Sequence, residues 1–293
     1  MKYIKPFALL VFAALMTGCI KEDLSSCKVD FRLLFSYKGD GEEEIFHDKI
    51  TKVNLYVFDC DDKFVMSQTL DKEILNVSPS AELSLPAGEY RFVGVGNCFE
   101  NTATVGLKEN EPADMTQCLV GHPCAFTEGV MTCNDSLYMT SGSIRVVQGE
   151  AGEDTAAFEA SHIDMYVEVR GVDAPNTSVV LRHPYKYTNF ENDPCGDPCA
   201  FYPECAVDDE SGKTTIVAKF NVPRFASEDD VALDVVGKDG EKIHTVDIGQ
   251  FVKDQKIDLA KNEVLVPVLV EFQSVGVTVT VPEWAGDEIE PEF

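Results

Sequence analysis

The chain has few basic residues and no long apolar segment. Its 293 residues include 24 Lys and Arg against 51 Asp and Glu, so the formal net charge at pH 7 is −27. A surface this acidic repels phosphate backbones and anionic membranes, so we expect no nucleic-acid partner and no electrostatic attachment to a bilayer. The apolar run at residues 7–16 is about half the roughly 20 residues that a membrane-spanning helix needs. We therefore expect no permanent transmembrane helix.

Complete catalytic motifs are also missing. The Ser-x-x-Lys match at residues 25–28 lies ahead of the first predicted strand, where no pocket could surround a nucleophile. Residues 212–214 read Gly-Lys-Thr, but Val207 stands where a phosphate-binding loop requires its first glycine. His162 and Asp164 share one face of a predicted strand without a serine or cysteine placed beside them. We therefore expect no enzymatic activity and no cofactor.

The first 18 residues have the pattern of an export signal, with two lysines ahead of the apolar run. Residues 15–19, Leu-Met-Thr-Gly-Cys, resemble a bacterial lipobox, in which cleavage precedes a cysteine whose thiol carries diacylglycerol. We predict that residues 1–18 are removed and that Cys19 carries lipid. Stable anchoring takes more than one acyl chain, which a triacylated N-terminal cysteine supplies. An ordinary secretory signal followed by a coincidental cysteine is the alternative.

Residues 19–27 form a predicted tether between the lipid and the fold. Lys21, Glu22 and Asp23 follow the lipid-attachment cysteine and resemble the surface-export signal of lipoproteins in Bacteroidetes-type bacteria. That signal would place the protein outside the outer membrane, whereas the alternative is a solvated charged linker. Cys27 lies just before the first predicted strand, and we expect it to clamp the start of the fold through a disulfide.

Alternating apolar residues indicate β-strands along the mature chain. Residues 53–57, 163–169 and 275–281 each place apolar side chains at every second position, the period of a strand with one buried face. Helical periodicity is nearly absent, and turn residues separate the apolar runs. The sequence therefore predicts an all-β protein.

The length predicts two β-sandwich domains, because 275 mature residues exceed what one core covers. We place the N-terminal sandwich at residues 28–150 and the C-terminal sandwich, with its acidic tail, at residues 151–293. The boundary falls in the polar, glycine-containing stretch 148–157.

Nine cysteines remain after the lipid-attachment cysteine is set aside, and in an exported protein we expect them to form disulfides of about 2–4 kcal/mol each. The candidates are Cys27, Cys60, Cys98, Cys118, Cys124, Cys133, Cys195, Cys199 and Cys205. The odd number predicts at least one free thiol, and the pairing stays open. The proline-rich stretch 193–205 cannot lie inside a sheet. A metal site with His122 or His183 is the alternative, but no Cys-x-x-Cys pair supports it, so we expect no metal.

Several stretches together resemble a known family. The tether CIKEDLSSC, the strand pair VDFRLLFSY and ITKVNLYVFDCDDKFV, the hairpin LPAGEYRFVGVGN, the segment FEASHIDMYVEVRGV and the closing VTVTVPEW are similar to the FimB/Mfa-type fimbrial anchor lipoproteins of Bacteroidetes. The resemblance covers nearly the whole mature chain in order. Two groups of cysteines are more than we expect of this family, namely Cys118, Cys124 and Cys133, and Cys195, Cys199 and Cys205.

The resemblance implies two tandem transthyretin-like Greek-key β-sandwiches and a lipid-anchored position on the cell outer membrane. It implies that the protein anchors a fimbria, a type V pilus, at its cell-proximal end and limits its length. Its partners would be fimbrial subunits of the same pilus, joined by donor-strand β-augmentation. Residues 263–272 and 275–281 are the candidate exchanged or groove-lining strands, because a long apolar strand near a terminus is an aggregation hazard unless it is covered. Pro267 cannot donate to a ladder, which fits an edge strand. Alternatively, both strands simply complete the second core.

The competing hypothesis is a surface lipoprotein that binds a glycan or another ligand on an aromatic face of a sandwich. The aromatic candidates are Tyr185, Tyr187, Phe190, Phe201 and Tyr202, which cluster around the second group of cysteines. Packing of these rings against disulfides is the structural alternative.

Overall fold

Strands dominate the part of the chain that the computed structural model describes, which is residues 28–107, 114–208 and 214–286. The all-β prediction is confirmed, whereas the transthyretin-like Greek-key assignment stays a prediction. The predicted signal peptide and tether lie outside the described residues, as do Cys19, Lys21, Glu22, Asp23 and Cys27.

The strands are β1 (Lys28–Ser36), β2 (Val53–Asp59), β3 (Phe64–Leu70), β4 (Ser80–Pro86), β5 (Gly88–Gly96), β6 (Ala103–Val105), β7 (Leu119–Gly121), β8 (Tyr138–Val146), β9 (Gly152–Ala157), β10 (Glu159–Ala160), β11 (His162–Arg170), β12 (Ser178–Asn189), β13 (Pro194–Phe201), β14 (Ala206–Asp208), β15 (Thr215–Pro223), β16 (Ala232–Val236), β17 (Lys242–Asp247), β18 (Leu265–Gln273) and β19 (Gly276–Thr280). Short α-helices connect them at α1 (Phe46–Lys49), α2 (Lys72–Val77), α3 (Pro123–Phe126) and α4 (Ile248–Gln255).

These strands build four sheets. Sheet I has the order β4-β1-β9, and sheet II has the order β10-β8-β5-β2-β3. Sheet III has the order β14-β15-β11-β18-β19. Sheet IV has the order β17-β16-β12-β7-β6, with β13 also paired to β12. Each pair of sheets encloses one hydrophobic core, so the molecule contains two sandwiches.

Sheets I and II form sandwich one. Strand β1 alternates between buried and partly exposed residues, and its buried Phe31, Leu33 and Phe35 lie in the same core cluster as Leu55 and Val57 of β2. Fully burying one such side chain contributes about 1.5–3 kcal/mol. Strand β1 is also the central strand of sheet I, paired antiparallel with β4 and parallel with β9.

Sheets III and IV form sandwich two. The buried face of β11 carries Val167 and Val169, which share a core cluster with Leu181 of β12 and Leu233 of β16. Helix α4 places Phe251 in the same cluster. The alternation predicted for residues 163–169 therefore faces a core, as expected for a strand with one buried face.

A third apolar cluster joins the two sandwiches. Strand β5 is buried on both faces, because Phe92 lies in the core of sandwich one while Val93 and Val95 lie in this third cluster. The segment between β5 and β8 covers that second face with Met115 and Val120. The same segment supplies β6 and β7, which extend sheet IV through pairing of β7 with β12. Residues from the N-terminal half of the chain thus complete a sheet of sandwich two.

The change from one sandwich to the other does not occur at the predicted boundary between residues 150 and 151. Strand β9 pairs with β1, and β10 pairs with β8, so the strands of sandwich one continue to Ala160. The polar stretch 148–157, predicted as a linker, contains β9. Its polar side chains are compatible with a strand because β9 is an edge strand with an exposed face.

Candidate functional site

The junction between the sandwiches begins at the tip of the β12–β13 hairpin. The side-chain oxygen of Asn189 accepts hydrogen bonds from the N–H groups of Glu191 at 3.0 Å and Asp193 at 2.8 Å. Asn192 adopts a left-handed conformation with φ of 66°, which asparagine tolerates better than most residues. This tight turn places Phe190 at the end of the hairpin.

Phe190 inserts into the outer face of sheet II. Its side chain is 1% exposed, and its ring stacks on Tyr56 at a centroid distance of 5.3 Å. The ring also meets the edge of Phe58 at 6.1 Å, so both partners come from β2 of sandwich one. At the rim, Arg91 of β5 bonds the carboxylate of Glu191 at 3.3 Å. An apolar plug with a charged rim therefore fastens one end of the junction.

Glu263 fastens the other end of the junction. One carboxylate oxygen accepts a hydrogen bond from the Tyr37 hydroxyl, and the other lies 2.6 Å from the Lys49 ammonium. The Tyr138 ring packs against the Tyr37 ring at a centroid distance of 4.8 Å. Burial, followed by the bond to Glu263, raises the pKa of Tyr37, so the hydroxyl remains a proton donor.

A carboxylate from sandwich one reinforces this contact. Asp40 accepts hydrogen bonds from the backbone N–H groups of Asn262 at 2.8 Å and Glu263 at 3.0 Å. The Asn262 side chain in turn donates to the Gly39 carbonyl at 3.2 Å and accepts from the Ala160 N–H at 3.1 Å. The chain entering β18 is thus bound to sandwich one through both backbone and side chain.

The guanidinium of Arg224 closes this end of the junction. It donates to backbone carbonyls on either side, those of Ala160, His162, Leu259, Lys261 and Asn262. Desolvation lowers the pKa of Arg224, but a guanidinium stays protonated over the whole physiological range. Its planar fork suits a site that presents several carbonyl oxygens.

These contacts join β1 to β18, two strands that lie far apart in sequence. Tyr37 directly follows β1, and Glu263 lies two residues before β18, although 226 positions separate them. Strand β1 is the first strand of the described chain, and β18 pairs with the edge strand β19. The junction therefore links the first strand to the C-terminal strands without passing through the intervening chain.

The C-terminal strands have different exposures. Contrary to the edge position favoured for residues 263–272, β18 lies inside sheet III between β11 and β19. Strand β19 is the edge strand, and Val277 within it is 36% exposed. Its sequence, GVTVT, carries no charge and no proline. The edge of β19 thus presents unpaired backbone groups beside a rim of valine side chains.

Two prolines end the ladder between β18 and β19. Their register places Leu269 opposite Thr280, and two residues further it would place Pro267 opposite Pro282. Neither proline has an N–H to donate, so the ladder stops. The chain then turns so that the Trp284 ring meets the Tyr166 ring edge-on at 4.7 Å. Pro267 thus occupies a part of β18 that β19 does not cover, which explains how a proline fits an interior strand.

Membrane-spanning helices and clusters of metal-binding side chains are both absent from residues 28–107, 114–208 and 214–286. No helix there is long and apolar enough to cross a membrane. No group of three or more His, Cys, Asp or Glu side chains in the same residues could hold a metal ion.

The model of one protein family matches almost the whole chain. The family is described as fimbrillin-A associated anchor proteins Mfa1 and Mfa2, and the match spans residues 24–288. This chain belongs to that anchor family. It is therefore a fimbria-associated protein of a family of structural proteins. No curated protein matches the chain in sequence.

Solved structures share the fold of this anchor-family protein at low sequence identity. A candidate adhesin from Bacteroides ovatus has a TM-score of 0.73 at 14% identity, covering 88% of this chain and 95% of the other. A candidate adhesin from Bacteroides thetaiotaomicron has a TM-score of 0.68 at 16% identity, covering 88% and 98%. The fimbrial anchor protein Mfa2 from Porphyromonas gingivalis has a TM-score of 0.68 at 16% identity, covering 87% and 96%. These similarities establish the shared fold.

The aromatic residues proposed as a shared binding face are dispersed in this anchor-family protein. Phe201 is fully buried in the core of sandwich two, and Phe190 is the junction plug. Tyr187 stacks on Phe126 at 4.8 Å and donates to a backbone carbonyl. Tyr202 is 45% exposed, and Tyr185 is half-buried. Five aromatics close in sequence do not form one surface because β12 and β13 point alternate residues to opposite faces.

Eight of the candidate cysteines lie within the described residues, where they are free thiols. The predicted disulfides stay a prediction. Cys98 and Cys118 are buried in the third cluster, and burial raises the pKa of Cys118 to about 11. Cys124, Cys133, Cys199 and Cys205 pack at the rim of the core of sandwich two, while Cys60 is exposed and Cys195 is partly exposed. The proline-rich stretch is outside the sheet interior as predicted, but it contains strand β13, whose pairing with β12 shifts register twice.

Replacing Phe190 by Ala tests the junction. We expect the free energy of unfolding to fall by about 3–5 kcal/mol, because the substitution removes a fully buried ring and leaves a cavity between the sandwiches. Equilibrium urea denaturation measures the change. Tyr202→Ala, at an exposed aromatic, should change it by about 0.5 kcal/mol or less. A loss below about 1 kcal/mol for Phe190→Ala would show that the plug does not hold the junction.

Proposed function

We propose that this protein anchors a fimbria to the outer membrane at the cell-proximal end, through lipid on Cys19 and β-augmentation at its C-terminal edge. Membership of the anchor family supports the fimbrial role. The contact of Tyr37 with Glu263 carries the mechanical part of the proposal, because it joins the tether side to the C-terminal strands.

The N-terminal side suits an attachment that bears tension. A pull on the tether would act along β1, which is hydrogen-bonded on both sides to β4 and β9. Drawing β1 out of sheet I therefore requires two ladders to break together while Phe31 and Leu33 leave the core. Lipid on Cys19, with Lys21, Glu22 and Asp23 as the export signal, would hold the tether at the cell surface.

The C-terminal side suits a partner that adds a strand. An extended segment of a fimbrial subunit would pair with the backbone of β19, and its alternate apolar side chains would cover the exposed Val277 and also Val279, which packs at the rim of the core. Main-chain hydrogen bonds would supply affinity, and the side-chain pockets would set the register. A subunit bound to lipid at one end would also terminate the filament, which is how anchoring would limit its length.

Replacing Cys19 by Ser tests the lipid anchor. The substitution removes the thiol that would carry diacylglycerol, so we expect a folded protein that leaves the membrane fraction. Fractionation of cells with metabolic labelling by a clickable fatty acid measures both attachment and lipid incorporation. Cys60→Ser is the matched control and should remain labelled and membrane-bound. Unchanged lipid labelling of the Cys19→Ser protein would refute this attachment point.

Replacing Val277 by Lys tests the edge of β19. A lysine at an exposed position of an edge strand hinders pairing with an added strand, so we expect normal surface levels of the protein but fimbriae shed into the medium. Immunoblots of filaments in the cell and supernatant fractions measure retention.

Val65→Lys is the matched control, because Val65 lies 41% exposed on β3, the edge strand of sheet II in sandwich one. It should leave filaments attached. Normal retention with Val277→Lys would exclude augmentation at β19, and shedding only with Val65→Lys would move the partner edge to sandwich one. Both variants should melt within a few degrees of the wild type, since each position is exposed.

A further inference from the structure

A cleft of about 950 Å³ opens beside the junction, on the flank of sandwich two. Its walls are the β12–β13 hairpin, the turn at residues 224–229, the C-terminal end of α4 and the following segment to residue 262. Sandwich one contributes only β10 to the rim. The volume lies within the roughly 300–1,000 Å³ typical of small-molecule sites, which often lie where domains meet.

Backbone strain concentrates around this cleft. Five non-glycine residues in the described ranges have positive φ, and three of them surround Tyr185: His183 at 69°, Asn192 at 66° and Lys256 at 58°. Asn192 and Lys256 line the cleft, and His183 lines an adjoining hollow of about 320 Å³ on the other side of Tyr185. Strained residues of this kind cluster at ligand-binding sites when the surrounding fold holds them in place.

Irregular pairing of β12 directs Tyr185 toward the cleft. The register between β12 and β13 shifts between Arg182 and Tyr185 and again between Tyr185 and Tyr187. Such bulges re-aim a side chain that would otherwise follow the regular alternation of the strand. Tyr185 therefore stands between the cleft and the adjoining hollow, and it lines both.

Polar groups are held in place around the Tyr185 ring. The Tyr185 hydroxyl donates to Asp229 at 3.2 Å, and the other Asp229 oxygen accepts from the Ala226 N–H at 2.6 Å. The charge of Asp229 raises the pKa of Tyr185, which keeps this donor protonated. The side-chain oxygen of Asn192 is buried at the cleft without a hydrogen-bond partner among the described residues.

The charge of the cleft is balanced. Four cationic and four carboxylate side chains line it, although acidic residues outnumber basic ones 51 to 24 in the chain. Lys253 pairs with Glu228 at 3.7 Å, so part of this charge is already neutralised. A phosphate or another polyanion gains nothing from such a balance, whereas a neutral ligand rich in hydroxyl groups meets both donors and acceptors.

We propose that this cleft binds a neutral carbohydrate, with one sugar face against the Tyr185 ring and sugar hydroxyls bonded to Asp229. The flat aromatic surface suits the apolar face of a sugar ring, and the mostly polar lining suits its hydroxyl groups. No residue of β19 lines the cleft, so glycan binding does not require the proposed strand addition at that edge. It gives the protein a second contact, with a glycan.

The test measures binding of the purified full-length chain by isothermal titration calorimetry. The probes are linear oligosaccharides of glucose, mannose and N-acetylglucosamine, with polygalacturonate as an anionic comparison. We expect at least one neutral oligosaccharide to bind and polygalacturonate not to bind. Tyr185→Ala removes the aromatic surface, and Asp229→Asn replaces a charged acceptor by a weaker neutral one, so each should weaken the binding by about tenfold or more.

Tyr202→Ala is the matched control, since it removes an exposed tyrosine outside the cleft, and its affinity should equal that of the wild type. Asp229→Asn keeps an oxygen that can accept from the Ala226 N–H, so the turn should stay folded, which circular dichroism checks. The proposal is overturned if none of the three neutral oligosaccharides binds, if only polygalacturonate binds, or if Tyr185→Ala binds as tightly as the wild type.

Discussion

The carboxylate of Glu263 is the contact on which the rest of the architecture depends. It receives the Tyr37 hydroxyl and the Lys49 ammonium from sandwich one, while the backbone beside it is held by Asp40. Removing one member of such a buried polar group leaves the others unsatisfied, which costs more than the bond itself contributes. This contact brings the end of the first strand against the start of β18, so strands from opposite halves of the chain are held directly to each other.

Phe190 forms a second contact between the sandwiches, separate from the contact of Glu263. Phe190 of the β12–β13 hairpin in sandwich two packs against sandwich one. In the other direction, the segment between β5 and β8 of sandwich one adds β6 and β7 to sheet IV. Two separated fastenings restrict rotation between the domains in a way that one cannot. In the proposed anchor, a stiff body of this kind would transmit tension between a membrane tether and a filament without a hinge that extends under load.

Part of this structure is predictable from the sequence because it depends on local pattern. The alternation in β2 and β11 gives strands, since burial of one face imposes a period of two. Strand β9 was not predicted, because its polar residues are as compatible with a linker as with an exposed edge strand. The role of Phe190 and the pairing of Tyr37 with Glu263 have no local signal, because their partners lie far away in sequence. The cleft around Tyr185 likewise depends on bulges and turns that only the folded chain reveals.

The most direct test of the central claim is differential scanning calorimetry of the full-length protein. If the junction makes one cooperative body, the sandwiches will unfold in a single transition whose calorimetric enthalpy equals the van't Hoff enthalpy. Two resolved transitions, or a calorimetric enthalpy well above the van't Hoff value, would contradict the account by showing that the sandwiches unfold independently.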